Sequence, residues 1–415
     1  MMNQWKEMTW GDLATLEYGK ALRGYRNSSG RFRVYGTNGP IGWHDQALFD
    51  KPSVIIGRKG AYRGVYYAAE PFFVIDTAFY LKPNTEFDMR WAYYELLTHD
   101  INSMDSGSAI PSTSRDSFYR LPVCVPPLEV QHAIAQILGA LDDKIKLNRQ
   151  MNETLEAIAR ALFKSWFVDF DPVRAKAEGR DPGLPKRIAD LFPDSFEDSE
   201  LGEIPKGWSV GTIGSVADVI DCLHSKKPER HEYGLPLLQL SNIRDDGLID
   251  MQDTYFIEEA DYRKWISRME ASPSDCVITN VGRVGAVAQM PVGQKAALGR
   301  NMTGVRCKSG FPYPTVLIEC LLSKAMKDEI VLKKDTGTIL DALNVRNIPK
   351  LRFVLGEREV LRYFEHQARP IRAQMETHLA YSRTLSALRD TLLPKLVSGE
   401  LRVKDAERYL EGVGV

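Results

Sequence analysis

No window of the sequence approaches the roughly 18 uncharged apolar residues of a membrane span, so no transmembrane helix is expected. Paired cysteines are missing too. Cys124, Cys222, Cys276, Cys307 and Cys320 are odd in number, scattered and free of any CxxC spacing, which points to reduced thiols in a cytoplasmic protein. The opening MMNQWKEMTWGDL has no basic segment followed by an apolar one, so no secretory signal is expected. The phosphate loop GxxxxGKS/T is absent; GRKGAYRG is glycine-rich but lacks that spacing, so no cradle for ATP phosphates is predicted. Neither a GxGxxG after a strand nor an HExxH occurs, and the seven histidines stand alone, so no metal site is expected. The Asn/Asp-Pro-Pro-aromatic tetrad with which amino-methyltransferases hold a flipped base is missing, and the DFDP at Asp169 is a different motif. Together these absences point to a protein that is not itself an enzyme.

What is present is an uneven charge pattern in a chain whose net charge is only -1. A balanced total argues against coating nucleic acid everywhere, but binding responds to the local field. Between Tyr18 and Val65, Lys20, Arg23, Arg26, Arg31, Arg33, Lys51, Arg58, Lys59 and Arg63 are opposed only by Asp45 and Asp50. Between Cys276 and Lys308, Arg283, Lys295, Arg300, Arg306 and Lys308 face no acid at all. Acids collect instead between Asp190 and Glu203. A single charge run is often just a solvated face; two in corresponding places ask for more.

The correspondence is a repeat of domain size. SGSAIPSTSRDSFYRLPV (106–123) aligns without a gap on TGTILDALNVRNIPKLRF (336–353), so that Gly107 meets Gly337 and Leu121 meets Leu351. The same 230-residue offset continues through Ile134 and Phe364, Leu155 and Leu385, and Leu162 and Leu392. Upstream, PSVIIGRKGAYRGV resembles SDCVITNVGRVGAV. The order is globular unit, helix, linker, globular unit, helix. SVIIGR, FFVIDTAFYL, LPVCV, DCVITN, MTGVRC and LRFVL read as short strands, whereas WAYYELLTHDI and TVLIECLLSKAMKDEIV read as helices.

The first long helix carries a coiled-coil seam of alternating four- and three-residue steps: Ile134, Leu138, Leu141, Ile145, Asn148, Asn152, Leu155, Ala159, Leu162 and Trp166. Asn148 and Asn152 either fix the register as buried polar residues or lie at a wet edge. At 1.5 Å per residue the helix measures about 55 Å, roughly a turn and a half of duplex DNA. Pro370 predicts a break in the second, giving a short helix over about 357–368 and a long one over about 370–396, lined by Ile371, Met375, Leu379, Leu385, Leu388 and Leu392. Matching seams predict an antiparallel pairing. Leu162, Phe163, Trp166 and Phe167 with Leu392, Leu393, Leu396 and Val397 are either residual docking surface or core. Between helix one and unit two, the Pro-, Gly- and acid-rich connector holds Phe170, Leu191, Phe192 and Phe196 and is expected to pack along the rod.

PPLEVQHAIAQILGALDDKIKLNRQMNETLEAIARALFKSWFVDFDPV, the LGEIPKGW that opens unit two, and LLPKLVSGELRV near the end closely resemble the specificity subunit of Type I restriction–modification systems. The resemblance implies an α+β chain of two mixed α/β target recognition domains in tandem, held by two long helices in an antiparallel coiled coil with a pseudo-two-fold repeat. The segments are 1–127 and 205–355 for the domains, 128–168 and 356–403 for the helices, 169–204 for the linker and 404–415 for the tail. It implies double-stranded DNA as ligand, read as two half-sites across a non-specific gap. Two modification (methyltransferase) subunits and restriction (translocase/endonuclease) subunits are the implied partners. S-adenosylmethionine, ATP and magnesium are implied for those partners and none for this chain. The second helix departs from the family pattern: LGEREVLRYFEHQARPI lacks the PPLxxQ opening of the first.

Arginine reads guanine and Asn reads adenine, while Lys, Arg, Ser and Thr hold phosphates. The candidate DNA contacts are therefore Arg58, Lys59, Tyr62 and Arg63 in a Gly-bounded loop, and Ser112, Thr113, Ser114 and Arg115 in a second. In unit two Asn280 and Arg283 take the matching place, Arg300 and Asn301 follow, and Asn344 and Arg346 match the second loop. Ile134, Leu138, Leu141, Ile145, Leu155, Leu162, Phe163, Trp166, Leu385, Leu388 and Leu392 are the candidate coiled-coil and partner-docking positions. Two rival functions fit the residues alone: a free-standing DNA-modifying enzyme with an unrecognised site, and a protein-only scaffold.

Overall fold

A computed structural model describes residues 5–25, 30–105, 111–334 and 341–412. Gly107 and Gly337, which anchor the sequence match, and Arg26 in the first basic run lie outside these residues. The chain forms two compact units, residues 1–146 with 384–415, and residues 147–383. Each unit contains one globular part and about half of each long helix, so the unit boundary cuts across both helices, whereas the sequence had divided the chain between elements.

The same local logic builds both globular parts. In the first, Thr9 N–H and Oγ1 both donate to the Asp12 carboxylate (2.8 and 2.7 Å) at the start of the helix Trp10–Leu13, and Trp10 N–H donates to the Leu121 carbonyl at 3.0 Å. In the second, Thr212 N–H donates to Ser215 Oγ at 3.2 Å, and Ile213 N–H donates to the Leu351 carbonyl at 2.9 Å. These contacts sit where the strand Lys6–Thr9 pairs antiparallel with Pro122–Val125, and Ser209–Thr212 with Arg352–Leu355. Each globular part therefore begins and ends in one two-stranded ribbon, beside the start of a long helix.

Beyond the ribbon lies a four-stranded antiparallel sheet. Its spatial order is Ala14–Tyr18, Ala78–Pro83, Ser53–Gly57, Val65–Ala68 in unit one. In unit two it is Ala217–Asp221, Met302–Cys307, Cys276–Thr279, Val287–Gln289. The strands Ser53–Gly57 and Cys276–Thr279 are buried throughout, as their continuous β-branched runs require. A second sheet accompanies each, and in both it contains one parallel pair, Phe32–Gly36 with Phe72–Val74 and Leu235–Leu238 with Ala296–Leu298. A parallel pair needs a long crossover, and the chain between its strands supplies part of the first sheet. The FFVIDTAFYL run resolves into two strands, Phe72–Val74 and Ala78–Pro83, one in each sheet.

The first long helix spans Leu128–Phe167, about 60 Å at 1.5 Å per residue. Its PPLxxQ opening has a purpose: the buried Gln131 side chain donates to the Pro126 carbonyl (2.8 Å) and accepts from Asp88 N–H (2.8 Å). That ties the helix start to the helix Met89–Leu96, whose N-cap is Asp88. Arg90 and Tyr94 of that helix reach the same long helix, at Asp143 (2.8 Å) and Asp142 (2.6 Å).

The second long helix is continuous over Arg358–Val397, so the expected break at Pro370 does not occur. Proline removes one helical hydrogen bond and costs about 3 kcal/mol in a helix interior. Here Phe364, Ala368, Arg372 and Met375 are buried on either side of it, and that packing offsets the cost. The helices pair antiparallel. In unit two Asn148 Nδ2 donates to Ser382 Oγ (3.1 Å), and Asn152 bonds both the Met375 carbonyl (3.0 Å) and His378 Nδ1 (2.9 Å). In unit one Asp142 meets Arg389 at 2.6 Å. Asn148 and Asn152 are thus buried in the seam rather than at its edge.

Ile134, Leu138, Leu141, Leu385 and Leu392 are buried, while Ile145, Leu155, Leu162 and Leu388 are half-buried. The aromatic end of the first helix is core. Phe163 and Phe167 lie 5.6 and 5.3 Å from Phe364, in a cluster that includes Trp166, Trp208 and the connector residues Val173, Ile188 and Phe192. Phe163, Trp166, Phe167, Leu392 and Leu396 are therefore closed to a partner; antiparallel pairing sets the first three against the start of the second helix, not its end.

Candidate nucleic-acid interface

In unit one, the buried strand Ser53–Gly57 delivers the chain into the loop of Arg58–Gly64, closed at its base by Gly57 N–H on the Gly64 carbonyl (2.8 Å). Gly60, with φ of 122°, makes the turn that a side chain resists. The second predicted loop lies directly against it. Thr113 N–H donates to the Arg58 carbonyl (2.8 Å), Thr113 Oγ1 to the Gly57 carbonyl (2.7 Å), and Gly60 N–H to the Pro111 carbonyl (3.0 Å). The two candidate loops are one surface.

Its centre is an aromatic ring between two cations. Arg58 stands 4.8 Å and Arg115 5.2 Å from the centroid of Tyr18. Arg58 also donates to the Asp76 carbonyl (3.0 Å) and Arg115 to Tyr119 Oη (2.8 Å), which fixes both guanidinium groups, with no carboxylate partner among the described residues. Lys59, Ser112 and Ser114 are half-buried around them; Ser114 caps the helix Arg115–Tyr119 by accepting from Ser117 N–H (3.2 Å). Tyr62 is 81% exposed.

Arg63 departs from expectation. Only 4% exposed, it donates to the carbonyls of Asn102 (2.7 Å) and Gly60 (3.2 Å), so it braces the loop from inside and its burial keeps it from a base. Thr113 is likewise buried and committed to the loop pairing.

Unit two repeats the geometry. Leu343 N–H donates to the Asn280 carbonyl (2.9 Å), as Thr113 does to Arg58, and the bridge of Val281 with Ala342 matches that of Lys59 with Ser112. Thr113 and Leu343, like Ser112 and Ala342, stand at the 230-residue offset found in the sequence. Asn280 is buried, its amide spent on the Leu343 carbonyl (3.0 Å) and Thr303 Oγ1 (2.9 Å), so it too is structural rather than presented outward. Arg283 is part exposed and bonds the Ile243 carbonyl (2.5 Å) and the Asp245 carboxylate. Arg300 and Arg346 are exposed. Asn301, at φ of 65°, forms the turn into Met302–Cys307, and Asn344 accepts from Arg346 N–H (3.0 Å) as the cap of a short 3-10 helix.

Two features escaped the sequence reading. Tyr18 becomes central only because Ala14–Tyr18 pairs with the distant Ala78–Pro83, which no local pattern announces. The run LHSKKPER was locally legible: Lys227 Nζ lies 3.9 Å from the centroid of the Tyr255 ring, with Arg230 at 5.8 Å.

The described residues of the two surfaces are mainly cations, amides and hydroxyls. Burial pushes the Cys320 and Cys307 thiols up to about 12 and raises Cys276 as well, so all three stay protonated near neutral pH. Asp221, Cys222 and His224 bring three potential metal ligands within 4.8 Å of one another. One oxygen of Asp221, Oδ2, is already engaged by His224 Nε2 (2.8 Å) and the Arg268 guanidinium (3.5 Å), a cation with which a metal would compete. Among the described residues no helix is long and apolar enough to cross a membrane.

Residues 2–157 match the family model of the Type I restriction modification DNA specificity domain. The chain is 28% identical over 337 residues to the HindI specificity subunit of Haemophilus influenzae, covering 70% of this chain and 71% of that protein. It is 25% identical over 402 residues to the MjaIX specificity subunit of Methanocaldococcus jannaschii, covering 95% and 86%. The fold is shared with the crystal structure of a Type I restriction–modification S subunit from M. genitalium, at a TM-score of 0.61 and 17% identity over 95% of this chain and 97% of that one. The repeated α/β parts, the antiparallel helices and these matches agree: over most of its length the chain is similar to specificity subunits of Type I restriction–modification systems, and residues 2–157 match their DNA specificity domain.

Proposed function

We propose that each globular part reads one half of a bipartite, asymmetric DNA target, and that the paired helices set the gap between the halves. The observation that carries this is the duplicated loop pairing, Arg58 with Thr113 and Asn280 with Leu343, which builds the same surface twice in one chain. In unit one that surface presents Arg58, Lys59, Tyr62 and Arg115; in unit two it presents Arg283, Arg300, Asn344 and Arg346. Fixed arginines with spare donors suit guanine O6/N7 or phosphate, and neighbouring hydroxyls suit phosphate.

The modification subunits dock on the first long helix. Leu147, Met151 and Ile158, at 50%, 40% and 48% exposure, lie at helical spacing on a face that neither the second helix nor the globular part of unit two covers. S-adenosylmethionine, ATP and magnesium act in the modification and restriction subunits, and the assembly works in the cytoplasm beside the host DNA. Methylome sequencing of a host with and without this gene tests the reading: one two-part motif whose methylation depends on the chain supports it, and an unchanged methylome overturns it. Methyl transfer by the purified chain alone would establish the enzyme reading instead.

A further inference from the structure

The Arg283 side chain does not stand by itself. Its guanidinium bonds the carbonyls of Leu240 (3.4 Å) and Ile243 (2.5 Å) and the Asp245 carboxylate, all in one short segment, Leu240–Asp250. That segment is a tight hairpin. Ile243 bridges Ile249, Asn242 Nδ2 donates to the Asp250 carbonyl (2.7 Å), and Asp250 N–H donates to the Asn242 carbonyl (2.8 Å).

Three arginines of the long helices grip the same hairpin. Arg160 of the first helix donates to the Asp245 carbonyl (3.1 Å). Arg372 of the second donates to the Gly247 carbonyl (2.6 Å) and is held in place by Glu319 (3.2 Å), with both side chains at 3% exposure or less. Arg383 donates to the Ile249 carbonyl (2.9 Å) and the Asp250 carboxylate (3.2 Å). Gly247 has φ of 78°, and a Cβ there would meet Leu322 Cδ1 at 2.6 Å and Arg372 Nη2 at 3.1 Å, so the hairpin tip favours glycine.

We propose that this hairpin is the positioning element of the second reading surface. Arg160, Arg372 and Arg383 set the hairpin, the hairpin sets Arg283, and the orientation of Arg283 is thereby referred to the helices and not only to its own sheet. The grip falls mainly on main-chain carbonyls, so it depends little on the hairpin's side chains apart from Gly247 and Asp250. It also places Arg160 two residues from Ile158, on the helix that the modification subunits are proposed to hold. The inference rests on the reading of Arg283 as a DNA contact, and the test separates the two.

Full-length chain is reconstituted with its modification subunits, and binding is measured to duplexes carrying base changes in each half of the target found by methylome sequencing. Arg283→Ala is expected to lower discrimination at one or two positions of one half-site about tenfold, the scale of one bidentate base contact. Arg160→Ala is expected to lower discrimination at those same positions by several-fold, with the other half-site, the salt dependence and the melting temperature unchanged. Arg160 is 43% exposed and its other partner, Glu156 (2.6 Å), lies one turn away on the same helix, so the change is expected to leave the fold intact. Arg160→Lys, which keeps a donor, restores discrimination, and the double variant Arg160→Ala/Arg283→Ala is no worse than Arg283→Ala alone. Full discrimination in Arg160→Ala beside a loss in Arg283→Ala overturns the positioning role only. No loss in Arg283→Ala overturns both the base-contact reading and the inference. A loss in Arg160→Ala spread over both half-sites with a lowered melting temperature overturns the positioning role in favour of general destabilisation.

Discussion

The sharpest stability test is the Arg372–Glu319 pair. Arg372→Met removes the bonded cation and leaves the Glu319 carboxylate, 2% exposed, without its ion-pair partner, with only the more distant Arg160 acting on it. Breaking a buried pair from one side costs about 3–5 kcal/mol, a large fraction of the 5–15 kcal/mol that holds a domain together. For a unit the size of residues 147–383, each kcal/mol lowers the melting temperature by about 2–4 °C, so a fall of roughly 10 °C is expected. Adding Glu319→Gln removes the stranded charge and should recover most of the loss. A residual of about 1–3 kcal/mol remains because the Gly247 carbonyl has lost its donor.

The pH dependence gives an independent sign. Burial raises the Glu319 carboxyl above its ordinary value, and Arg372 opposes that rise. Without Arg372 the folded-state value climbs further. A carboxyl raised on folding contributes stability that is full below its unfolded value and is lost as pH rises through the folded one. The Arg372→Met deficit should therefore shrink as pH falls from 8 towards 5, and the double variant should lose this dependence. Thermal unfolding followed by circular dichroism across that range is the assay. A deficit below about 1 kcal/mol, or a double variant less stable than the single, would refute the reasoning.

Arg58→Ala and Arg115→Ala should weaken DNA binding by about 1–3 kcal/mol each without lowering the melting temperature, whereas Arg63→Ala should lower the melting temperature first; equal thermal stability for all three would count against the buried role of Arg63. Asn152→Ala strands the Met375 carbonyl and His378 Nδ1 in the helical seam and should cost about 1–3 kcal/mol in denaturant unfolding. Leu147→Asp/Met151→Asp should abolish co-purification of the modification subunits while leaving the melting temperature of the free chain within about 2 °C, since both side chains already face water. The Glu95 carboxylate bonded to His99 raises that imidazole; its contribution is complete below pH 6.5 and fades above it, so His99→Gln should flatten the fall in stability on the alkaline side.

The helices and the repeat were legible in the sequence because their signals are local and periodic: the four- and three-residue seam, the PPLxxQ opening, and the constant offset carried from Leu121 to Leu162. Pro370 misled because the cost of a missing hydrogen bond is visible in sequence while the packing of Phe364, Ala368 and Met375 that offsets it is not. The site was legible only by region. A basic, Gly-bounded loop gives no sign of which arginine points inward. Arg63 and Asn280 turned in because the backbone carbonyls of Asn102 and Leu343, distant in the chain, were there to receive them. Asn148 and Asn152 were ambiguous for the converse reason: their partners Ser382, Met375 and His378 lie on another helix.

The ribbons of Lys6–Thr9 with Pro122–Val125 and of Ser209–Thr212 with Arg352–Leu355 have a consequence for how such chains can change. A reading module whose two ends leave side by side is wired like a plug. A foreign module of the same fold can replace everything beyond the ribbon where it keeps the groups that the helices hold, such as the carbonyls bonded by Arg160, Arg372 and Arg383. New specificity is then open to a single exchange of gene segment, with no need to rebuild the scaffold residue by residue.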